Sequence, residues 1–158
     1  MLKRLCFFDG ISSYITFRRR VFMKERGKAM VMASFAADAL ALGAHWIYDT
    51  ESIEKIFGRV ESYLKPGQHS YHASKQTGDF THYGDQAFVL LESLAEEKGF
   101  ELSDFSERWR RLFDNYDGYI DHATRITLSG YASGKSYQDP GFPSDDLAGA
   151  ARIAPLVY

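Results

Sequence analysis

Cysteine is almost missing from this chain. Cys6 is the only one in 158 residues, so no internal disulfide can brace the fold, and a reducing cytoplasm is the simplest setting. An excess of one charge is missing too. Nineteen Lys and Arg face twenty-one Asp and Glu, and a net charge of −2 gives no global reason to expect nucleic-acid binding. There is no internal repeat, no low-complexity linker and no stretch with the alternation of a strand. Residues 1–28 lack a continuous apolar signal core and a small-residue cleavage site, so no secretory signal is expected. Residues 1–25 read as an extension, with Arg18, Arg19 and Arg20 as a solvated basic run.

What is present points to one globular domain over residues 26–158. Apolar residues are 45% and charged ones 25%, enough for a core and too apolar for disorder. Residues 29–48 are nearly all apolar and about long enough to span a bilayer. Asp38 lies at their centre, where insertion would cost roughly 2.5–3.5 kcal/mol. A mostly buried core helix over 26–47 is the expectation, with no membrane role.

Helical spacing recurs. A short helix is expected over Ser52–Phe57, capped by Thr50 or Ser52. Residues 58–83 form a long loop, a length that in compact domains is usually functional or mobile. Asp85–Lys98 follows with Ala87, Leu90, Leu91 and Leu94 on one face and Gly99 as its stop. Ser103 caps the next helix, whose stripe is Phe105, Trp109, Leu112 and Phe113. Tyr119–Ser133 is another, and Ser144 or Asp145 caps the last. Pro155 should kink or stop that final helix. The fold class is all-α.

Three polar clusters carry the chemistry. Asp38, His45 and Asp49, seven and four residues apart, fall within about 40° of one another if one helix holds them all. They either line a cleft, where carboxylate and imidazole orient substrate and move protons, or Asp38 caps neighbouring backbone and Asp49 satisfies His45. The second cluster is Thr81-His82-Tyr83-Gly84-Asp85-Gln86. Asp85 is either an ordinary helix cap or an oxygen ligand for a hard cation, helped by His82. The third is Ser144-Asp145-Asp146 before a run of small residues. There paired acids either complement a helix dipole or mark a helix start that a phosphate or ribose approaches. His69, His72 and His122 show no ligand-like spacing and receive no role.

In order, these clusters resemble the ADP-ribosylglycohydrolase family over residues 28–158, the N-terminal half of that family's domain. "AADALALGAHWIYD" is similar to the family's Gly-Asp-Ala-Leu-Gly helix, with Asp38-Ala39-Leu40 retained. "HYGDQAFVLLESL" is similar to its Thr-Asp-Asp-Thr-Gln motif, aligned on Gln86. "SDDLAGAARIAP" is similar to its Ser-x-Gly-Asn-Gly segment, with Ser144, Arg152 and Pro155 retained. The variant "HWIYD", "YGDQ" and "DLAGAARIAP" pattern resembles the branch that holds J-type crystallins and selenoprotein J.

The resemblance implies an orthogonal multi-helix bundle, and hydrolysis of the glycosidic bond of ADP-ribose on a small molecule or a modified protein. It implies Mg2+ as cofactor, with Asp85 as the remaining ligand. His45 and Asp85 become the catalytic candidates, and Asp38, His82, Gln86, Ser144 and Asp146 the substrate-binding ones. Both motif aspartates are replaced, by Tyr83 and Gly84, and the Gly-Asn-Gly is Asp146-Leu147-Ala148. The alternative is a crystallin-like structural or ADP-ribose-binding relative without turnover. Half a domain would leave core surface exposed and favour association with another chain.

Overall fold

The structure, a computed structural model, describes residues 8–144 and 147–157, with side chains from Lys24 onward. The element order is α1 (Phe8–Ala41), a 3-10 turn (Leu42–Ala44), α2 (Thr50–Phe57), α3 (His82–Glu97), α4 (Leu102–Leu112), α5 (His122–Ala132), α6 (Ala148–Ala151) and α7 (Ala154–Val157). Among the described residues there is no strand, and the fold is all-α.

α3 is the central element, packed against α1, α4, α6 and α7. Its seam with α1 is aromatic and aliphatic. Val31, Phe35 and Ala87 are buried together, with Phe80 and Leu91 against them. The Phe35 ring lies 5.2 Å from Phe80 and 5.9 Å, edge-on, from Phe88. Burying a side chain the size of Phe contributes about 1.5–3 kcal/mol. The seam with α4 is polar: Trp109 Nε1 donates to Gln86 Oε1 at 2.8 Å, and Ser93 Oγ to Asp104 at 2.7 Å.

α1 departs from the expected helix in two ways. Only every fourth residue of its later half, Val31, Phe35 and Ala39, is buried, while Met30, Met32 and Leu40 are exposed. It is one-faced, not mostly buried, although the segment Lys24–Ala44, which runs from α1 into the 3-10 turn, is long and apolar enough to cross a membrane. It also ends at Ala41, tightening into the 3-10 turn before Trp46 takes the left-handed φ of 64°. At Gly43 a Cβ would collide with Leu64, so the bare backbone is what admits the long loop here. No helix break marks residue 25, since α1 runs through it.

Caps follow side-chain chemistry more closely than the expected boundaries did. Asp49 accepts from Ser52 N–H at 3.1 Å to start α2, and Asp121 accepts from Thr124 N–H at 2.7 Å to start α5. Thr81, not Asp85, starts α3, its hydroxyl accepting from Tyr83 N–H at 3.1 Å. Glu101 stands at the start of α4 without a side-chain cap bond, displacing Ser103 from that role, and Lys98 rather than Gly99 takes the left-handed stop of α3. The final helix divides at Arg152–Ile153 as Pro155 requires, since proline lacks the N–H needed to continue an α-helix. α6 starts at Ala148, beyond Ser144 and Asp145.

Candidate functional site

The starting point is Asp38, halfway out of solvent on α1. Thr81 donates to it twice, from its backbone N–H at 2.8 Å and from its hydroxyl at 2.7 Å. Burial raises the Asp38 pKa above the usual carboxylate value, and these two hydrogen bonds offset part of the rise. In the next turn Gly84 has no side chain to spare: a Cβ there would run into the Asp38 carboxylate. A side chain at position 84 is therefore excluded on steric grounds in this chain.

Asp85 lies beside Asp38 on α3, close enough for the two charges to interact. Lys75 Nζ donates to Asp85 Oδ2 at 2.6 Å, and Tyr116 Oη donates to the same oxygen. Burial first, then this bond, push the Tyr116 hydroxyl above its ordinary pKa. An ammonium group on the Asp85 carboxylate does not suit a hard divalent cation, which needs several free oxygen donors. With Asp38 committed to Thr81, the donor set at α3 does not fit Mg2+.

The imidazoles converge instead. Because α1 stops early, His45 leaves the helix, and the single stripe expected for Asp38, His45 and Asp49 does not form; Asp49 is an exposed cap of α2. His45 meets His72 from the long loop at 5.0 Å between ring centroids and His82 from α3 at 6.0 Å. His72 and His82 stack at 5.3 Å. Both are completely buried. Burial above all, then neighbouring positive charge, holds His72 down to about 4 and His82 to about 3. Burial lowers His45 as well, against the pull of Asp38. His45 Nε2 and both ring nitrogens of His72 and of His82 are buried without a hydrogen bond.

Against this cluster lies a cleft of about 450 Å³ lined by Trp46, just past the 3-10 turn, and by residues of α3, α4, α5 and α6. Trp46, Tyr83, Tyr119 and Phe142 present rings to it, and Asp121, Arg152 and Ser144 present polar groups. Arg152 reaches across to Asp121, with its guanidinium 5.0 Å from the centre of the Tyr83 ring. Asp121 stays below the usual carboxylate pKa: burial opposes ionisation, but Thr124 hydrogen bonds and the Arg152 charge outweigh it.

Of the sequence-derived site residues, Asp38, His45, His82 and Asp85 come together around the start of α3. Ser144 lines the neighbouring cleft, which among the described residues neither Asp38 nor Asp85 lines. Gln86 is buried, its amide committed to His82 O at 2.9 Å and to Trp109. Asp146 lies outside the described residues. Sequence reasoning missed His72, Trp46, Tyr119 and Asp121. The density of His and Tyr in the long aperiodic loop was a signal for His72 alone; Trp46, Tyr119 and Asp121 lie outside that loop.

A family model described as ADP-ribosylglycohydrolase matches residues 20–158. Crystallin J1A of Tripedalia cystophora is 34% identical over 98 residues, which is 60% of this chain and 30% of that protein. Crystallin J1B of the same animal is 32% identical over 99 residues, 60% of this chain and 31% of its own length. An uncharacterized protein of Archaeoglobus fulgidus is 27% identical over 139 residues, covering 86% of this chain and 44% of that one. The chain thus spans less than half the length of these curated relatives. No solved structure matches.

Proposed function

The chain belongs to the ADP-ribosylglycohydrolase family, and from that membership we propose that it serves a hydrolase of ADP-ribosyl glycosidic bonds whose substrate lies in the cleft between α3, α5 and α6. The observation that carries this reading is the cleft's lining. Aromatic side chains of Trp46, Tyr119 and Phe142 in the wall suit the flat adenine and the sugar, and about 450 Å³ is within the range of small-molecule sites. Asp121, kept ionised by Thr124 and Arg152, lines the cleft, and it would have to exchange its Arg152 partner to stabilise the oxocarbenium character that glycosidic cleavage develops. Ser144 contributes a hydroxyl to the same wall. Of the earlier candidates, His45 is half-buried and its ring lies 5.6 Å from that of Tyr83 in the cleft wall. The partner implied is ADP-ribose on a small molecule or a protein, in a cytoplasmic setting.

A second reading is favoured by one specific arrangement. Lys75 and Tyr116 occupy the Asp85 carboxylate that would hold the family's magnesium. A relative that binds ADP-ribose without turning it over would keep the cleft and dispense with the metal. Release of free ADP-ribose from an ADP-ribosylated substrate, with Mg2+ and with a chelator, separates the two. Turnover in either condition supports the hydrolase. Saturable ADP-ribose binding with no turnover supports the binding module, and absence of both rejects the cleft assignment.

A further inference from the structure

We propose that His45, His72 and His82 form a binding site for a borderline-soft divalent transition-metal ion of the zinc type, independent of the family's magnesium chemistry. One nitrogen from each imidazole lies within 4.8 Å of the others. A tetrahedral zinc with bonds near 2.0–2.1 Å sets its nitrogens about 3.3 Å apart. Side-chain rotation that draws the rings together by about 1.5 Å or less satisfies that geometry.

The burial argument is the stronger one. His72 and His82 are fully buried, and five ring nitrogens of the cluster are buried without a hydrogen bond. An unsatisfied buried polar atom is costly, so five in one place mark an arrangement with a purpose other than packing. An apolar cluster of the same size would avoid that cost. A divalent ion takes up one such nitrogen on each ring. The rings are neutral, the form that ligates. Asp121 Oδ2 stands 3.5 Å from His82 Nε2 without a hydrogen bond between them, and it is the nearby carboxylate that could orient this imidazole once its other nitrogen ligates.

The three ligands come from separate segments: His45 from the end of the 3-10 turn, His72 from the long loop and His82 from the first turn of α3. A metal there pins the loop between α2 and α3 to the helical body. Two of the three ligands are shut off from solvent, and among the described residues no fourth protein ligand joins the cluster, so the remaining position is left to water. The structure assigns three of the four coordination positions.

The test uses the whole chain, stripped with a chelator and titrated with Co2+, then with Zn2+, and separately with Mg2+. One equivalent of Co2+ should give the intense visible absorption of a four-coordinate site, Zn2+ should abolish it by displacement, and Mg2+ should do neither. His45→Gln, at the half-exposed ligand, should weaken binding at least tenfold while far-ultraviolet circular dichroism stays native. His69→Asn and His122→Asn should leave binding unchanged. Zn2+ should also raise the midpoint of thermal unfolding of the unmodified chain and not that of His45→Gln. No saturable Co2+ spectrum, one that His45→Gln leaves intact, or one that His69→Asn or His122→Asn removes, overturns the site.

Discussion

Thr81 and Asp38, 43 residues apart in sequence, are joined by two hydrogen bonds from the threonine to the carboxylate, at 2.8 and 2.7 Å. The pair fixes where α3 begins relative to α1, and with it the positions of His82, Gly84 and Asp85. Thr81→Val keeps the size of the side chain and the backbone bond but removes the hydroxyl donor. Since a hydrogen bond to a charged group contributes about 1.5–3 kcal/mol, this variant should lose that amount, read as a lower urea midpoint. An unchanged midpoint would show that the hydroxyl bond does not hold the two helices.

Gly84→Ala tests the close approach from the other side. The added methyl would meet the Asp38 carboxylate and Phe80. Overpacking of this kind costs about 1–3 kcal/mol, even though alanine is the better helix former. In Asp38→Ala the clash is relieved, so the Gly84→Ala penalty should shrink in a double-mutant cycle. An additive result would place the strain elsewhere.

The helical elements were legible because their apolar residues keep step: Ala87, Leu90 and Leu91 lie on one face of α3 in both sequence and structure. Boundaries were less so. Thr81 outcompeted Asp85 as cap because its hydroxyl serves Tyr83 N–H and Asp38 at once, a tertiary fact that no local pattern contains. The early end of α1 comes from Gly43 packing on Leu64 and from the left-handed turn at Trp46, again visible only once the loop is in place. The histidine cluster had no chance of being read from spacing. His72 sits in an aperiodic loop, and its partners lie in two other segments.

Acid should unfold the metal-free chain earlier than its surface charge would. His72 and His82 hold pKa values of about 4 and about 3 in the folded state, below the usual 6.5. Between those values the unfolded chain binds more protons, so stability rises with pH and is lost as pH falls below about 6.5. Each histidine should remove about 2 kcal/mol between pH 7 and pH 5. The groups facing them are His45, Lys75, Arg152 and Asp121, and the raised Asp38 works in the opposite direction over its own range. Urea midpoints at pH 7, 6 and 5 in chelator check this. A flat profile contradicts the buried, neutral assignment.

Lys75→Met removes the ammonium from Asp85 and leaves its burial and the Tyr116 hydrogen bond. Breaking a partly buried ion pair leaves a carboxylate without its counter-charge, and a loss of about 1–3 kcal/mol is expected in urea unfolding. The freed carboxylate should also gain affinity for Mg2+ in calorimetry. If Lys75→Met leaves Mg2+ binding as it was, the ion pair is not what keeps the cation away.

The most direct measurement is a nuclear magnetic resonance titration of the uniformly labelled chain with ADP-ribose. The cleft assignment predicts saturable shifts at the Trp46 indole and at the amides of Tyr83, Tyr119 and Ser144. The larger depression between α4 and α5, lined by Arg110 and Lys135, should stay silent. Saturable shifts confined to that second depression, or no saturable shifts at all, would contradict the account.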